Sequence, residues 1–236
     1  MPTRRRSLPL VAILLAPLAF AAAAPLEAQI FKVPKRVAEP AFWVGASVGY
    51  LQLQGLADSQ SNSIWNFSGA LQYIASLEYS IGRGASVGVT GAYARMPLVY
   101  ESLDGSPIFS VTQSASLVTR ADAHADVTSL MATAHFGGGE GFHAVFDAAL
   151  GATRFSAFRS DRGSVTLRPA SDLDPAFTIA SGVGYSTSPR TEFTLVQEYG
   201  NVFHQRGTLP NNVRTNAQQL TTRLGVRLGL GARRAR

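Results

Sequence analysis

From about residue 40 onward, apolar side chains occupy every second position over long stretches. The clearest run is Trp65 to Tyr79. Trp65, Phe67, Gly69, Leu71, Tyr73, Ala75, Leu77 and Tyr79 share one parity, while Asn66, Ser68, Ala70, Gln72, Ile74, Ser76 and Glu78 take the other. Successive side chains of a β-strand point to opposite faces, so this period of two predicts a strand with one apolar face. The run is far longer than the ~5–6 residues of an ordinary strand.

Seven further segments read the same way. They are residues 41–53 (apolar face Phe42, Val44, Ala46, Val48, Tyr50), 85–95 (Val87, Val89, Tyr93), 121–136 (Ala123, Ala125, Val127, Met131) and 142–155 (Phe142, Ala144, Phe146, Ala148, Leu150). The last three are 176–186 (Phe177, Ile179, Val183, Tyr185), 191–203 (Phe193, Leu195, Tyr199) and 218–230 (Leu220, Leu224, Val226, Leu228, Leu230). No segment carries a helical period. The fold class predicted is all-β, with eight strands.

The connections alternate in length. Ile81-Gly82-Arg83-Gly84, residues 137–141 and residues 186–190 are tight turns, in which glycine supplies positive φ and Pro189 a preset turn angle. Residues 54–64, 96–120, 156–175 and 204–217 are long and rich in Ser, Asp, Asn, Gly and Pro. Short turns at one end and long loops at the other are the layout of an antiparallel up-and-down transmembrane β-barrel. A soluble eight-stranded barrel of the lipocalin type is the structural competitor. Its water-facing positions would carry many Lys and Glu. Here the second parity holds Gly45, Ser47, Gly49, Ser86, Gly88, Thr90, Ala180, Gly182 and Gly184, small residues that suit a crowded lumen. Aromatics fall near strand ends, as two interfacial girdles require. Phe42, Trp43, Tyr79, Phe136, Phe142, Tyr185 and Phe193 lie beside the short turns; Trp65, Phe67, Tyr93, Phe155, Phe177, Tyr199 and Phe203 lie beside the long loops.

Charge changes the picture once the first residues are set aside. Arg4, Arg5 and Arg6, the apolar stretch Leu8 to Phe20 and small-residue sites ending at Ala24 and Ala28 make the three-part pattern of a secretory signal peptide. Residues 1–28 are therefore expected to be cleaved, and residues 29–40 to form a periplasmic lead-in to the barrel at 41–230. The 236-residue chain carries 21 basic and 15 acidic residues; without residues 1–28 it keeps 18 and 14. Arg233, Arg234 and Arg236, in the basic tail 231–236, supply three of the remaining four positive charges. A nearly neutral body offers no basic stripe for nucleic acid. The absence of cysteine excludes disulfides, thiolate metal sites and a cysteine nucleophile.

The strand ending the barrel carries a sharper motif. Barrels assembled in outer membranes commonly end in a signal of a polar residue, a glycine two positions on, and two aromatics. Arg223-Leu224-Gly225-Val226-Arg227-Leu228-Gly229-Leu230 follows that pattern, with Leu228 and Leu230 in the aromatic places. With the eight-strand layout over residues 41–230, the chain resembles the small outer-membrane barrels of the OmpA/OmpX type. The resemblance implies a location in the outer membrane of a Gram-negative-type bacterium, recognition by the outer-membrane assembly machinery through Arg223, Gly225, Leu228 and Leu230, and a monomeric barrel in contact with lipid and lipopolysaccharide.

Candidate chemistry falls in two places. Glu78, Asp122, Asp126, Asp147, Glu192 and Glu198 are expected to face the lumen with Arg223 and Arg227. Charges in so narrow a space must be paired or solvated, which predicts an internal plug, with a narrow ion path as the alternative. Arg154, Arg159, Arg162 and Arg168 cluster near the third long loop and suit the phosphates of lipopolysaccharide. His124 between Asp122 and Asp126 reads as a hydrogen-bonded row, since one strand alone does not supply convergent metal ligands; no metal or other cofactor is expected. His135 and His143 are expected at the interface and His204 at a loop base. Residues 45–49 and 84–88 both match G-x-S-x-G, yet neither precedes a helix, which a nucleophile elbow requires. A lipid-A-modifying barrel would need His and Ser within hydrogen-bond reach at the outer rim, and no His-x-Ser pair stands on any strand. The function expected is a non-catalytic barrel with a structural or surface-interaction role. The long loops face outward, and Val99-Tyr100, Ile108-Phe109 and residues 165–167 can extend the hairpins as ribbons.

Overall fold

The computed structural model describes residues 39–110, 117–161, 167, 173–204 and 215–232. The expected signal peptide, most of the lead-in segment, Arg162, Arg168 and the tail arginines lie outside them. Twelve strands are described: β1 (Phe42–Leu53), β2 (Leu56–Asp58), β3 (Ser63–Phe67), β4 (Ala70–Gly82), β5 (Ala85–Ser102), β6 (Phe109–Ser110), β7 (Leu117–Val118), β8 (Arg120–Gly137), β9 (Gly141–Ser160), β10 (Leu173–Ser188), β11 (Thr191–Phe203) and β12 (Asn216–Leu230). Eight of them, β1, β4, β5, β8, β9, β10, β11 and β12, pair antiparallel with their sequence neighbours. Pairing of β1 with β12, from Phe42↔Leu230 to Leu53↔Gln219, closes the ring. Closure removes every free sheet edge from the spanning part, which is what hydrocarbon demands of a β-structure.

Three tight turns, the start of β1 and the end of β12 lie at one rim, which we call the turn end. In the turn between β4 and β5, Gly84 takes φ +63°, a conformation that favours glycine. The ribbon expectation holds for Val99-Tyr100 and for Phe109, whereas Ile108 and Leu167 lie outside the strands. β5 and β8 run on together past the barrel wall to Glu101↔Arg120, carrying Val99 and Tyr100, and β6 with β7 forms a short ribbon beyond them.

The outer wall is apolar. Val44, Val48, Leu71, Leu77, Val89, Leu130, Phe146, Leu150, Ile179, Val183, Leu195 and Leu224 all stand exposed on it. A contiguous apolar belt of this size is untenable in water and stable against lipid, which excludes the lipocalin-like alternative. Phe42, Tyr79, Phe136, Phe142, Tyr185 and Phe193 ring the turn end of the belt. Phe42 meets Tyr79 edge-on at 5.4 Å, and Phe142 meets Tyr185 at 4.7 Å. Tyr50, Tyr73 and Tyr93, with Phe177 stacked on Phe203 at 5.9 Å, mark the loop end.

Several side chains stand on the opposite face from the one expected, and one physical cause covers most of them. The spanning part of each strand has lipid outside and polar groups inside. Where strands rise beyond the belt, the outside is water and the inside a dry core. On β8, Ala123, Ala125, Val127 and Met131 are buried inside, while Asp122 and Asp126 lie on the outer face. These two carboxylates therefore do not belong to the lumen. Trp65 and Phe155 are fully buried and Phe67 packs beside them, so all three belong to the interior of the loop end and not to its girdle. The Trp65–Tyr79 run is also two strands: Ser68-Gly69 interrupts it, and β3 pairs only with β2 and β5. Trp43 is inward too, with its ring under the Arg227 guanidinium at 4.8 Å. Its parity follows from Phe42 and Val44, its outward neighbours.

Candidate functional site

The lumen has two tiers. At the turn end it is polar and ionic. The inward parity of β4, β5, β9, β11 and β12 brings Glu78, Ser86, Asp147, Glu192, Glu198, Arg223 and Arg227 together from strands distant in sequence. Arg227 donates to Glu192 and to Glu78 at 2.6 Å each, and to Ser86 Oγ at 2.8 Å. Arg223 bridges Asp147 and, at 3.4 Å, Glu198. His135 and His143, expected at the interface, complete this cluster. His135 Nδ1 lies 2.6 Å from Asp147, and His143 Nε2 lies 2.9 Å from Glu192. The other nitrogen of His143 faces the Gly141 carbonyl at 3.0 Å. Parity alone would have revealed both histidines, since each directly neighbours an outward girdle aromatic, Phe136 or Phe142.

Above the cluster sits a cavity of about 70 Å³, reaching from Glu78 and Arg227 up to Met131 and Gln219. It has room for a few ordered waters, and its walls include Ser47, Ser76, Thr90, Ser129, Thr178 and Thr194. Higher still, the interior becomes apolar: Leu51, Met96, Leu98, Tyr100, Val127, Phe155, Phe158 and Val202 pack with Trp65 and Leu56 of the β2–β3 hairpin.

This cap carries a second polar cluster, on the loop side of the aromatic collar and beyond the spanning segments. His204 follows β11 and is fully buried. Its Nδ1 lies 2.6 Å from Asp174 at the start of β10, and its Nε2 lies 3.4 Å from Asp58 at the end of β2. Asp58 accepts from Ser61 Oγ at 2.6 Å, Ser61 meets Ser63 Oγ at 2.6 Å, and Trp65 Nε1 donates to Ser63 at 2.8 Å. The Trp65 ring lies 5.2 Å from that of His204. Burial alone would lower the pKa of His204, but its bonds to Asp174 and Asp58 outweigh this and raise it to about 9. Burial likewise opposes the charge on Asp58, and the bonds from His204, Ser61 and Gln60 overcome it, holding its carboxyl below the usual range.

A folded-state pKa above the ordinary value of 6.5 makes protonated His204 a stabiliser of the cap. That contribution is complete below about pH 6.5 and is lost as pH rises through about 9. The chain has two tryptophans, so Trp43→Phe leaves Trp65 as the single reporter. Its emission is expected to move to the red, reversibly, around pH 9. Emission that stays constant to pH 10.5 (roughly 1.5 units beyond that midpoint) would contradict the assignment.

Of the lumen charges expected from the sequence, Glu78, Asp147, Glu192, Glu198, Arg223 and Arg227 are brought together. Asp122 and Asp126 are not: Asp126 accepts from the Tyr93 hydroxyl at 3.0 Å and pairs with Arg95 at 3.8 Å on the outer face. His124 is no member of a row with them, because its partner is Asp161 at 2.9 Å. Among the described residues no three His, Asp or Glu side chains are placed to hold a metal ion. Arg154 and Arg159 are exposed on the outer face of β9 near the loop end, interleaved with Asp122, Asp126 and Asp161 on and beside β8 and β9. Ser86 of the second G-x-S-x-G copy is engaged by Glu78 and Arg227 inside the strand ladder. Arg223 and Gly225 face inward on β12, whereas Leu228 and Leu230 are exposed to lipid.

No protein-family model matches the chain, and no curated protein does. Solved structures do match. The outer membrane protein OprG from Pseudomonas aeruginosa is 10% identical, the match covering 83% of this chain and 98% of that one with a TM-score of 0.50. Neisserial surface protein A is 15% identical over 82% of this chain and 100% of that one, with a TM-score of 0.49. The closed ring, the lipid-facing wall and the likeness to OprG agree: this chain has the fold of the eight-stranded outer-membrane barrels.

Proposed function

We propose that the protein is a non-catalytic outer-membrane barrel, its long loops facing outward and its lumen closed by its own side chains, with a structural or surface-interaction role. One observation carries this reading. The lumen is obstructed twice, by the Arg227–Glu78–Glu192 ion cluster and by the Trp65–Phe155–Phe158 cap, while Ser76, Ser86, Ser129, His135 and His143 are engaged in ion pairs or hydrogen bonds. Arg223, Gly225, Leu228 and Leu230 serve as the assembly signal, and the barrel acts as a monomer. Membrane fractions expressing the chain are expected to yield a band whose gel migration shifts on boiling, as a ring of ladder hydrogen bonds resists detergent until heated. Recovery in the soluble fraction with no shift would sink the proposal.

The outward Arg154 and Arg159, joined by Arg95 across β8, favour contact with the phosphates of lipopolysaccharide above the Tyr93 collar. Replacing Arg154 and Arg159 together by alanine is expected to lower co-purified lipopolysaccharide severalfold. Equal amounts from parent and variant would remove this contact.

A further inference from the structure

One row of the lipid-facing wall is polar. Ser181 on β10, Gln197 on β11, Thr222 on β12 and Tyr50 on β1 are direct register partners across four adjoining strands. Each has the outward parity of exposed apolar neighbours on its own strand: Ile179 and Val183 beside Ser181, Leu195 beside Gln197, Leu224 beside Thr222 and Val48 beside Tyr50. The row ends against Phe146 of β9 and Leu71 of β4, both apolar and exposed. Because barrel strands are tilted, it climbs from within the apolar belt at Ser181 to the loop-end collar at Tyr50. The wall satisfies only part of it. The Thr222 hydroxyl donates to Gln197 Oε1 at 2.8 Å, and Gln197 Nε2 donates to the Thr221 carbonyl at 3.1 Å. A primary amide has two N–H donors and two acceptor sites, and a hydroxyl accepts as well as donates. One Gln197 N–H, one acceptor site on its Oε1 and the acceptor sites of Thr222 Oγ1 are left over. The Ser181 hydroxyl is bonded to no described residue. Hydrocarbon offers these groups nothing, and a polar group unpaired there is costly.

Whatever covers this row is lipid, because the wall lies in a membrane. An ester-linked lipid brings acceptors only, so it answers the Gln197 and Ser181 donors and leaves the acceptors bare. A lipid with an amide N–H and a hydroxyl beside its acyl linkage brings both kinds of group, at the depth where chains meet headgroup. The geometry points to a docking row for an amide-linked, hydroxylated acyl lipid on the outer wall of β10, β11, β12 and β1. The lipid's amide and hydroxyl bond Ser181, Gln197 and Thr222, and its chains lie along Val183, Leu195, Leu224 and Val48. The arginine contact with phosphate proposed above lies on β9, so the two stand or fall separately.

The test uses the full barrel refolded in detergent with equimolar sphingomyelin and phosphatidylcholine of matched chain length. The two lipids share the phosphocholine headgroup, so contacts with phosphate cancel in their ratio. Only sphingomyelin carries the amide N–H and the hydroxyl. The first lipid retained on the intact barrel is identified by mass spectrometry. The parent is expected to retain sphingomyelin over phosphatidylcholine by about threefold, the factor one membrane hydrogen bond supplies. Ser181→Ala, Gln197→Leu and Thr222→Val together should bring the ratio to that of the mixture while the heat-modifiable band stays, since apolar side chains suit a lipid-facing wall. Ser181→Ala alone removes no bond within the wall and should lower the ratio part of the way. A parent ratio equal to that of the mixture overturns the docking row, and so does a preference that survives the triple variant. Loss of the heat-modifiable band in the triple variant, with an unchanged ratio for Ser181→Ala, also overturns it, because the row would then brace the wall and not meet lipid.

Discussion

Arg227→Met is expected to cost the barrel about 3–5 kcal/mol, a large part of the stability of an ordinary domain. The guanidinium bonds Glu192 and Glu78 at 2.6 Å each and is itself buried. Its removal leaves two buried carboxylates without their guanidinium, Glu78 keeping only its Ser76 and Ser86 hydroxyl donors and Glu192 its contact with His143. Methionine keeps most of the volume, so the loss reads as electrostatic and not as a cavity. The measurement is the urea midpoint of refolded protein, followed by heat-modifiable migration. Adding Glu78→Gln and Glu192→Gln to Arg227→Met should restore much of the loss, because a neutral network in place of a buried ion network is often near-neutral. Leu224→Met on the lipid face is the control and should shift stability by less than about 1.5 kcal/mol. An Arg227→Met midpoint equal to that of the parent would show that the cluster carries no stability.

Gly88→Leu is expected to abolish barrel closure outright. A Cβ on Gly88 would sit 2.0 Å from the Leu77 carbonyl oxygen and 2.6 Å from Glu78 Cα. The obstacle is backbone of the neighbouring strand, so no rotamer change relieves it; β4 and β5 would have to part. Gly151 and Gly182 stand in the same relation to β8 and β11, with the Leu130 and Leu195 oxygens 2.2 and 2.1 Å from the added atom. The wall coils sharply at these places, as a small barrel must. Gly91→Ala is the matched control, because nothing lies within 4 Å of its added Cβ. The expected outcome is no heat-modifiable band for Gly88→Leu and an undiminished one for Gly91→Ala. A folded Gly88→Leu barrel at parental yield would refute this account of the glycine.

The ionic cluster was legible because β4, β9, β11 and β12 alternate through the bilayer, with most large apolar residues on the lipid side and Ile74, Val145 and Val196 the inward exceptions. Glu78, Asp147, Glu192, Glu198, Arg223 and Arg227 could therefore be read as inward from their neighbours alone. β8 offered no such contrast. Alanine takes both of its faces, at Ala123 and Ala125 inside and at Ala132 and Ala134 toward lipid, so its polar residues were read as lumen groups. The His204 cluster was harder still. Asp58, Asp174 and His204 lie in or beside segments that read as loop, separated by up to about 150 positions in sequence, and no local pattern joins them.

By itself the sequence determined the number of barrel strands, their order, most lipid-facing positions outside β8 and the alternation of short and long connections. All of these follow from local periodicity and turn chemistry. Only the tertiary structure decided where apolar side chains change sides. That depends on the height at which each strand leaves the membrane, and so on whether lipid or water lies outside it. It also decided which acids and bases meet across the ring, because register between strands sets those pairs and a strand read alone does not carry its register.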